Sequence, residues 1–248
     1  MTTPDFTGKT ILITGASRGI GRAAALAFAK AGGEIIAIAK TKGALEELDD
    51  EIKEITGRST ALIAADLTNK EIGQLGAVLS GRFPVIDVVI ANAGVLGELA
   101  SLTDIDEKSW DMTIATNLTA NWNLIRQMDP LLRKSKDPRM VFVSTGTTET
   151  FKPYWGGYTV SKAGLEALAK TYANEGEPFG IRASILNPGP VRTRMRAKAM
   201  PGEDPMTLPH PDDIAPLILE LSSPQYSGLG QRINYRDWKE GRDKVEGF

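Results

Sequence analysis

The sequence predicts an α/β fold: a doubly wound parallel sheet of about seven strands with helices on both faces. Three observations predict it. Short apolar runs of strand length alternate with stretches of helical periodicity along the chain. The strand runs are continuously apolar rather than alternating, as expected of strands buried on both faces. A glycine-rich turn joins the first strand run to the first helical stretch.

Thr10–Thr14 is the first apolar run, and Gly15, Gly19 and Gly21 follow it. The Ala-rich stretch Arg22–Ala31 reads as a helix closed by Gly32-Gly33. Ile35–Ala39 is a second strand. Leu45, Leu48, Ile52 and Ile55 then fall at helical spacing, which predicts an amphipathic helix over Lys42–Thr56. Thr60–Ala65 is a third strand, after which Thr68 and Glu71 have the spacing of a capping box. Val85–Ala91 and Met140–Ser144 are the fourth and fifth strands, Tyr158–Glu175 is a long helix and Ile181–Leu186 a sixth strand. Six prolines between Pro188 and Pro211 make residues 187–213 irregular, with a substrate lid at about 190–212. A helix over Pro211–Leu221 and a strand near Gln231–Tyr235 close the pattern. No linker and no repeat interrupts it, so residues 1–248 read as one domain. Ligands of such sheets bind outside the carboxyl ends of the strands, at the switch in strand order.

Composition narrows the chemistry. The 248 residues include no cysteine and one histidine, His210. Disulfides, cysteine-based zinc or iron–sulfur sites, thiol nucleophiles and multi-histidine sites are excluded, and no metal site is expected. Lys+Arg number 29 and Asp+Glu 31, a net charge of −2 that gives no case for nucleic-acid binding. No apolar run approaches a membrane span, and Met1–Asp5 has neither the basic region nor the apolar core of a leader. A cytoplasmic protein is expected.

Thr14-Gly15-Ala16-Ser17-Arg18-Gly19-Ile20-Gly21 follows a strand and opens a helix. In that setting glycines permit a tight turn, close approach of backbone to a pyrophosphate, and tight helix–sheet packing. The helix N-terminus adds free N–H groups and a partial positive charge. Gly15-Ala16-Ser17-Arg18-Gly19 also fits the Gly-x-Ser-x-Gly elbow of α/β hydrolases, with His210 downstream. That elbow follows a central strand, whereas this loop follows the first.

Tyr158 and Lys162 stand at i and i+4 on one helix face. A neighbouring ammonium favours phenolate, so a tyrosine pKa below its usual ~10 is expected. Such a tyrosine exchanges a proton with a carbinol or carbonyl oxygen.

The glycine loop, Asn92-Ala93-Gly94, Asn117, a hydroxyl ahead of Tyr158, the Tyr-x-x-x-Lys pair and Pro188-Gly189 occur in that order. From about Gly8 to Thr193 the sequence resembles the short-chain dehydrogenase/reductase family, in its single-domain, NAD(P)-dependent type with a Rossmann-type sheet. The resemblance implies that Tyr158 moves the proton, that Lys162 holds the nicotinamide ribose and lowers the tyrosine pKa, and that Asn117 anchors a water of the relay. It implies cofactor contacts from Thr14, Gly15, Ser17, Arg18, Gly19, Ile20, Gly21, Lys40, Thr41, Leu67, Pro188, Gly189 and Val191. Asp66 would take the adenine amino group, Asn92, Ala93 and Gly94 the adenosine ribose, and Thr193 the carboxamide or phosphates. Without the resemblance, Asp66-Leu67 equally ends a strand and Asn117 equally bridges backbone groups.

Similar proteins carry a serine about thirteen residues before the tyrosine. That place here is Thr145, and Ser144 is one step earlier. In an extended segment one step turns the side chain to the opposite face. Thr145 is therefore expected to orient the substrate oxygen, with Ser144 the alternative if the strand end is bulged. Where a carboxylate would hold a ribose 2′-hydroxyl, the sequence has Ala39, followed by Lys40 and Thr41. With Arg18 nearby, NADP(H) is expected over NAD(H).

Thr147, Glu149, Tyr154, Trp155 and Met195 are the expected substrate contacts. Arg192, Arg194, Arg196 and Lys198 alternate through the lid, either as its solvated flank or as an anchor for an anionic substrate. The expected activity is hydride transfer between NADP(H) and a small carbonyl or secondary-alcohol compound, in a homodimer or homotetramer. The alternatives are a non-catalytic dinucleotide sensor, and an epimerase or dehydratase with bound cofactor.

Overall fold

The computed structural model describes residues 3–242. In chain order the elements are β1 (Thr10–Thr14), α1 (Gly19–Lys30), β2 (Glu34–Ala39), α2 (Lys42–Thr56), β3 (Ala61–Ala64), α3 (Leu75–Ser80), β4 (Val88–Ala91), α4 (Glu107–Ile114), α5 (Ala120–Leu132), β5 (Arg139–Val143), α6 (Thr147–Thr150), α7 (Gly156–Gly176), β6 (Arg182–Asn187), α8 (Arg194–Ala199), α9 (Pro211–Leu221), β7 (Arg232–Asn234) and α10 (Tyr235–Lys239). The seven strands form one sheet in the order β3-β2-β1-β4-β5-β6-β7, parallel at every pairing. The order reverses between β1 and β4, where two loops leave the sheet in opposite directions and open a crevice.

The continuous apolar runs are explained by burial on both faces. Ile11 and Ile13 of β1 join the cluster that includes side chains of α1, α2 and α9. Leu12, between them, joins the cluster of α3, α5 and α7. Ile35 and Ala37 of β2 divide from Ile36 and Ile38 in the same way. Each fully buried Ile or Leu contributes about 1.5–3 kcal/mol of transfer free energy, and the sheet is anchored along its whole width.

Two expectations about local structure change. Thr68 does not cap a helix: its N–H and hydroxyl both turn back to Asp66 Oδ1, at 2.9 and 2.8 Å. A 3-10 turn follows at Lys70–Gln74, and the side chain of Glu71 lies outside the described residues. The lid holds a regular element as well, because Thr193 Oγ1 accepts from Arg196 N at 3.2 Å and starts α8. Arg196 then pairs through Nε and Nη2 with the two carboxylate oxygens of Glu203, at 2.5 and 2.6 Å. His210 caps α9 and accepts from Asp212 N at 3.4 Å. Among the described residues no helix is long and apolar enough to cross a membrane.

Candidate active site

A cleft of about 1130 Å³ lies over the carboxyl ends of the strands at the β1–β4 switch. Its walls include Gly15, Ser17, Arg18, Gly19, Ile20, Lys40, Thr41, Asp66, Leu67, Asn92, Ala93, Gly94, Pro188, Gly189, Val191 and Thr193. Ser144, Thr145, Tyr158 and Lys162 stand on the same wall system. Of the expected cofactor contacts, only Thr14 and Gly21 lie behind the wall.

Their placement shows what they do instead. Thr14 is fully buried, and its hydroxyl accepts the N–H groups of Asn92 and Ala93, both at 3.0 Å. The Asn92 carboxamide in turn donates to Thr14 O at 3.0 Å and to Gly15 O at 3.4 Å. These bonds tie the ends of β1 and β4 together and shape the glycine loop from below. Gly15 has φ +66°, and a Cβ there would lie 2.9 Å from Asn92 Nδ2. At Gly21 a Cβ would lie 2.3 Å from the Gly15 carbonyl oxygen. The first turn of α1 therefore packs against the loop as the spacing predicts, an approach that a Cβ at Gly15 or Gly21 would block.

Tyr158 sits in the first turns of α7, buried, in edge contact with Trp155 (centroids 6.0 Å apart). Burial pushes its phenol up to about 12, against a hydrogen bond with Thr145 that pulls it down. Burial thus outweighs the lowering that the Tyr158–Lys162 spacing predicts. Lys162 does not offset the burial, because its ammonium donates to Val143 O at 2.8 Å. Lys162 is itself buried, which lowers its pKa to about 8, with Glu166 acting in the opposite direction.

Asn117 lies in a π-helical turn, Ala115–Thr119, between α4 and α5. Such turns widen a helix and free main-chain groups. Its side chain does not reach the cleft wall. Oδ1 accepts from Val95 N at 2.8 Å, and Nδ2 donates to Val95 O and Ser161 Oγ, both at 2.9 Å. Its carbonyl accepts from Asn121 Nδ2 at 2.8 Å. Asn117 thus joins the β4 loop to α7 beside Tyr158 and Lys162. A Cβ on Gly94 would lie 3.1 Å from Asn117 Oδ1 and 3.5 Å from Lys162 Nζ, so the three meet at one point.

The adjacent hydroxyls part company. Thr145 faces Tyr158, whereas Ser144 is buried and donates to Glu166 Oε1 at 2.5 Å. Thr147, Trp155 and Met195 line the cleft, with Leu96 and Met112. Glu149 and Tyr154 do not line it. The Glu149 carboxylate turns back to Arg232 Nη2 at 3.2 Å, drawn by a buried guanidinium. Tyr154 has φ +72° and projects outward, 66% exposed. Sequence reasoning missed Glu166 and Arg232 altogether, since a charge on a helix and another on a late strand read as solvated.

Beyond the ends of β2 and β3, Lys40 Nζ pairs with Asp66 Oδ2 at 2.7 Å. Burial alone would raise the Asp66 carboxyl, but Lys40 and the two Thr68 bonds outweigh it and hold it below the usual range. The Arg192 Nε is buried without a hydrogen-bond partner among the described residues, on a side chain that lines the cleft. The glycine cradle, the cations at its mouth and this orphan donor fit a phosphate-bearing dinucleotide.

Comparison with known proteins agrees with this geometry. Residues 9–204 match the family model described as short chain dehydrogenase. The chain is 35% identical over 216 residues to an uncharacterized oxidoreductase, YciK, of Escherichia coli (strain K12), covering 86% of this chain and 85% of that protein. A short chain dehydrogenase of Shigella flexneri complexed with NADP superposes with a TM-score of 0.91 at 32% identity, covering 95% of this chain and all of that one. One from Escherichia coli CFT073 complexed with NADPH gives 0.92 at 32% identity, with the same coverage. Sheet order, cradle, tyrosine–lysine helix and relatives lead to one conclusion: the chain belongs to the short-chain dehydrogenase/reductase family of NAD(P)-dependent oxidoreductases.

Proposed function

We propose that the protein reduces a carbonyl compound to an alcohol with NADPH, Tyr158 giving the proton and Thr145 holding the substrate oxygen. One observation carries this reading. A buried phenol and a threonine hydroxyl share the wall of the glycine-loop cleft, with a buried lysine one helical turn from the phenol.

The cofactor supplies the hydride when bound. Gly15, Gly19 and the start of α1 would cradle its pyrophosphate, and Arg18, Lys40 and Thr41 would surround the adenosine 2′-position. No carboxylate stands at Ala39 to reject a 2′-phosphate, which supports NADPH over NADH. A phenol pushed up to about 12 is protonated at neutral pH, which suits a proton donor and hence the reducing direction. Lys162 keeps its charge below about 8 and would bind the nicotinamide ribose and replenish the tyrosine. Asn117 holds Ser161, and with it the tyrosine's helix turn, in place. Thr147, Trp155 and Met195 would take the body of the substrate, so an apolar group beside the carbonyl fits this end. Trp122 and Val160 are exposed on α5 and α7 and are the surface we assign to a homodimer or homotetramer contact.

The test is a panel of aldehydes and ketones offered with NADPH, read by loss of nicotinamide absorbance. Wild type should turn over members of the panel. Tyr158→Phe should lower kcat by about 10²–10⁴-fold with NADPH affinity unchanged. Full activity in Tyr158→Phe would sink the proposal.

A further inference from the structure

Behind the hydroxyl pair lies a charged cluster that neither hydride nor proton transfer calls for. Arg232 on β7 and Glu166 on α7 face each other with side chains each 11% exposed. Arg232 Nη1 donates to both carboxylate oxygens, at 3.1 and 3.3 Å, and to Thr148 Oγ1 at 2.7 Å. Its Nη2 donates to the Thr145 carbonyl at 3.0 Å and pairs with Glu149 Oε2 at 3.2 Å. Glu166 Oε1 also accepts from Ser144 Oγ at 2.5 Å and lies 2.9 Å from Thr148 Oγ1. One ion pair therefore grips a single segment, 144–149, at its first hydroxyl, its second carbonyl and two residues of α6.

The segment needs such a grip. β5 ends at Val143, and Ser144 N makes one further bond, to Leu186 O at 2.7 Å. Beyond it the sheet pairs no residue until α6. A strand end left to itself can slip or bulge, and a one-residue slip exchanges the side chains that face each side. Here a slip would offer Ser144 to Tyr158 in place of Thr145. The guanidinium takes the Thr145 carbonyl where no neighbouring strand continues to do so, and the carboxylate draws the Ser144 hydroxyl to the opposite side. Taking two charges out of water is costly, and an apolar pair often serves stability as well or better. Apart from Asn234 Oδ1, 3.4 Å from Arg232 Nε, and the influence of Glu166 on Lys162, the partners that meet these charges belong to the segment carrying Thr145.

We propose that Glu166 and Arg232 are positioning residues: they set the register of 144–149 so that Thr145, and not Ser144, faces Tyr158 and the substrate oxygen. This rests on the reading of Tyr158 and Thr145 as the reacting pair. Arg232 acts as a fork, with one nitrogen on the carboxylate and the other on the Thr145 carbonyl. Lysine would keep the charge opposite Glu166 but not the fork.

The experiment compares Arg232→Gln, Arg232→Lys and Thr148→Val with wild type in the full chain. The readouts are thermal melting, NADPH affinity, amide hydrogen exchange of residues 145–149, and kcat and KM on whichever panel carbonyl wild type reduces. In Arg232→Gln, exchange in 145–149 should rise by about tenfold or more, and kcat should fall by about tenfold or more with KM and NADPH affinity within about threefold. Arg232→Lys should recover the melting temperature but not kcat. If Arg232→Gln does not fold, Arg232→Lys and Thr148→Val carry the test, through the same rise in exchange and fall in kcat. Wild-type exchange and kcat in the folded variants would overturn the proposal, as would full recovery of kcat by lysine. A wild type that reduces no panel member, or an active Tyr158→Phe, defeats the reductase reading instead. Exchange then decides the grip alone.

Discussion

Replacing Lys40 by methionine separates the two nicotinamide cofactors. Lys40 Nζ lies 2.7 Å from Asp66 Oδ2, on a side chain 56% exposed. Exposed pairs of this kind are worth about 0–1 kcal/mol, so Lys40 is released at small cost to meet an arriving anion. A 2′-phosphate within about 4 Å would gain about 1 kcal/mol per unit charge in bulk water and about 4 near a protein surface. The exposure places this site toward the aqueous end. With about −1.5 to −2 charges on a phosphate monoester, and Asp66 given up, the net is about 1–2 kcal/mol. That is a fall of about 5–30-fold in kcat/KM for NADPH. NADH has no phosphate there, and its kcat/KM should change by less than about twofold. Salt provides the control: the Debye length shrinks from about 30 Å at 0.01 M to about 3 Å at 1 M, so the NADPH penalty should shrink with it. The assay is initial rates with both cofactors at low and high salt. An equal loss with NADH and NADPH, or no loss with either, would refute the reasoning.

Three further outcomes are expected. Thr145→Ala should lower kcat by about 10²-fold, while Ser144→Ala should cost about 1–3 kcal/mol of stability by leaving buried Glu166 one donor short. Thermal melting and kinetics separate the two, and the opposite pattern would reverse their roles. The reduction rate should decline as pH rises through about 8, because Lys162 is charged below that value and neutral above it. Tyr158, at about 12, is protonated throughout that range. Lys162→Arg should remove the decline, since arginine stays charged, and a wild-type profile flat to about pH 10 would contradict the assignment. Gly21→Ala would drive a Cβ to 2.3 Å from the Gly15 carbonyl. It should cost about 1–3 kcal/mol, with weakened NADPH binding; a variant that melts and binds like wild type would show that the loop yields freely.

Much of the fold was legible because each strand carries its own instruction. Ile11, Leu12 and Ile13 are all buried, on two different faces, so burial appears as an unbroken run. Lys42–Thr56 was readable because its apolar spacing and the left-handed Gly57 at its end are both local. The glycine loop, Tyr158 and Lys162 were readable for the same reason. Thr68 misled because a local Asx turn on Asp66 competes with a cap for the same hydroxyl. α8 was hidden because alternating bases and nearby prolines masked the cap at Thr193. The lowered tyrosine pKa failed because spacing shows where an ammonium is attached but not which carbonyl it meets. Glu166 and Arg232 had no local signal at all, since only the order of strands brings them together.

That juxtaposition also orders events in time. The bonds from Arg232 to Glu166, Thr148 and Thr145 span 66, 84 and 87 residues, and contacts so distant in sequence form slowly. During synthesis the dinucleotide cradle and the tyrosine–lysine helix leave the ribosome well before Arg232 does. A nascent chain stopped short of it can carry every residue proposed to touch cofactor or proton and still lack the guanidinium on the Thr145 carbonyl. The grip on residues 144–149 is thus completed only when the last strand reaches the edge of the sheet.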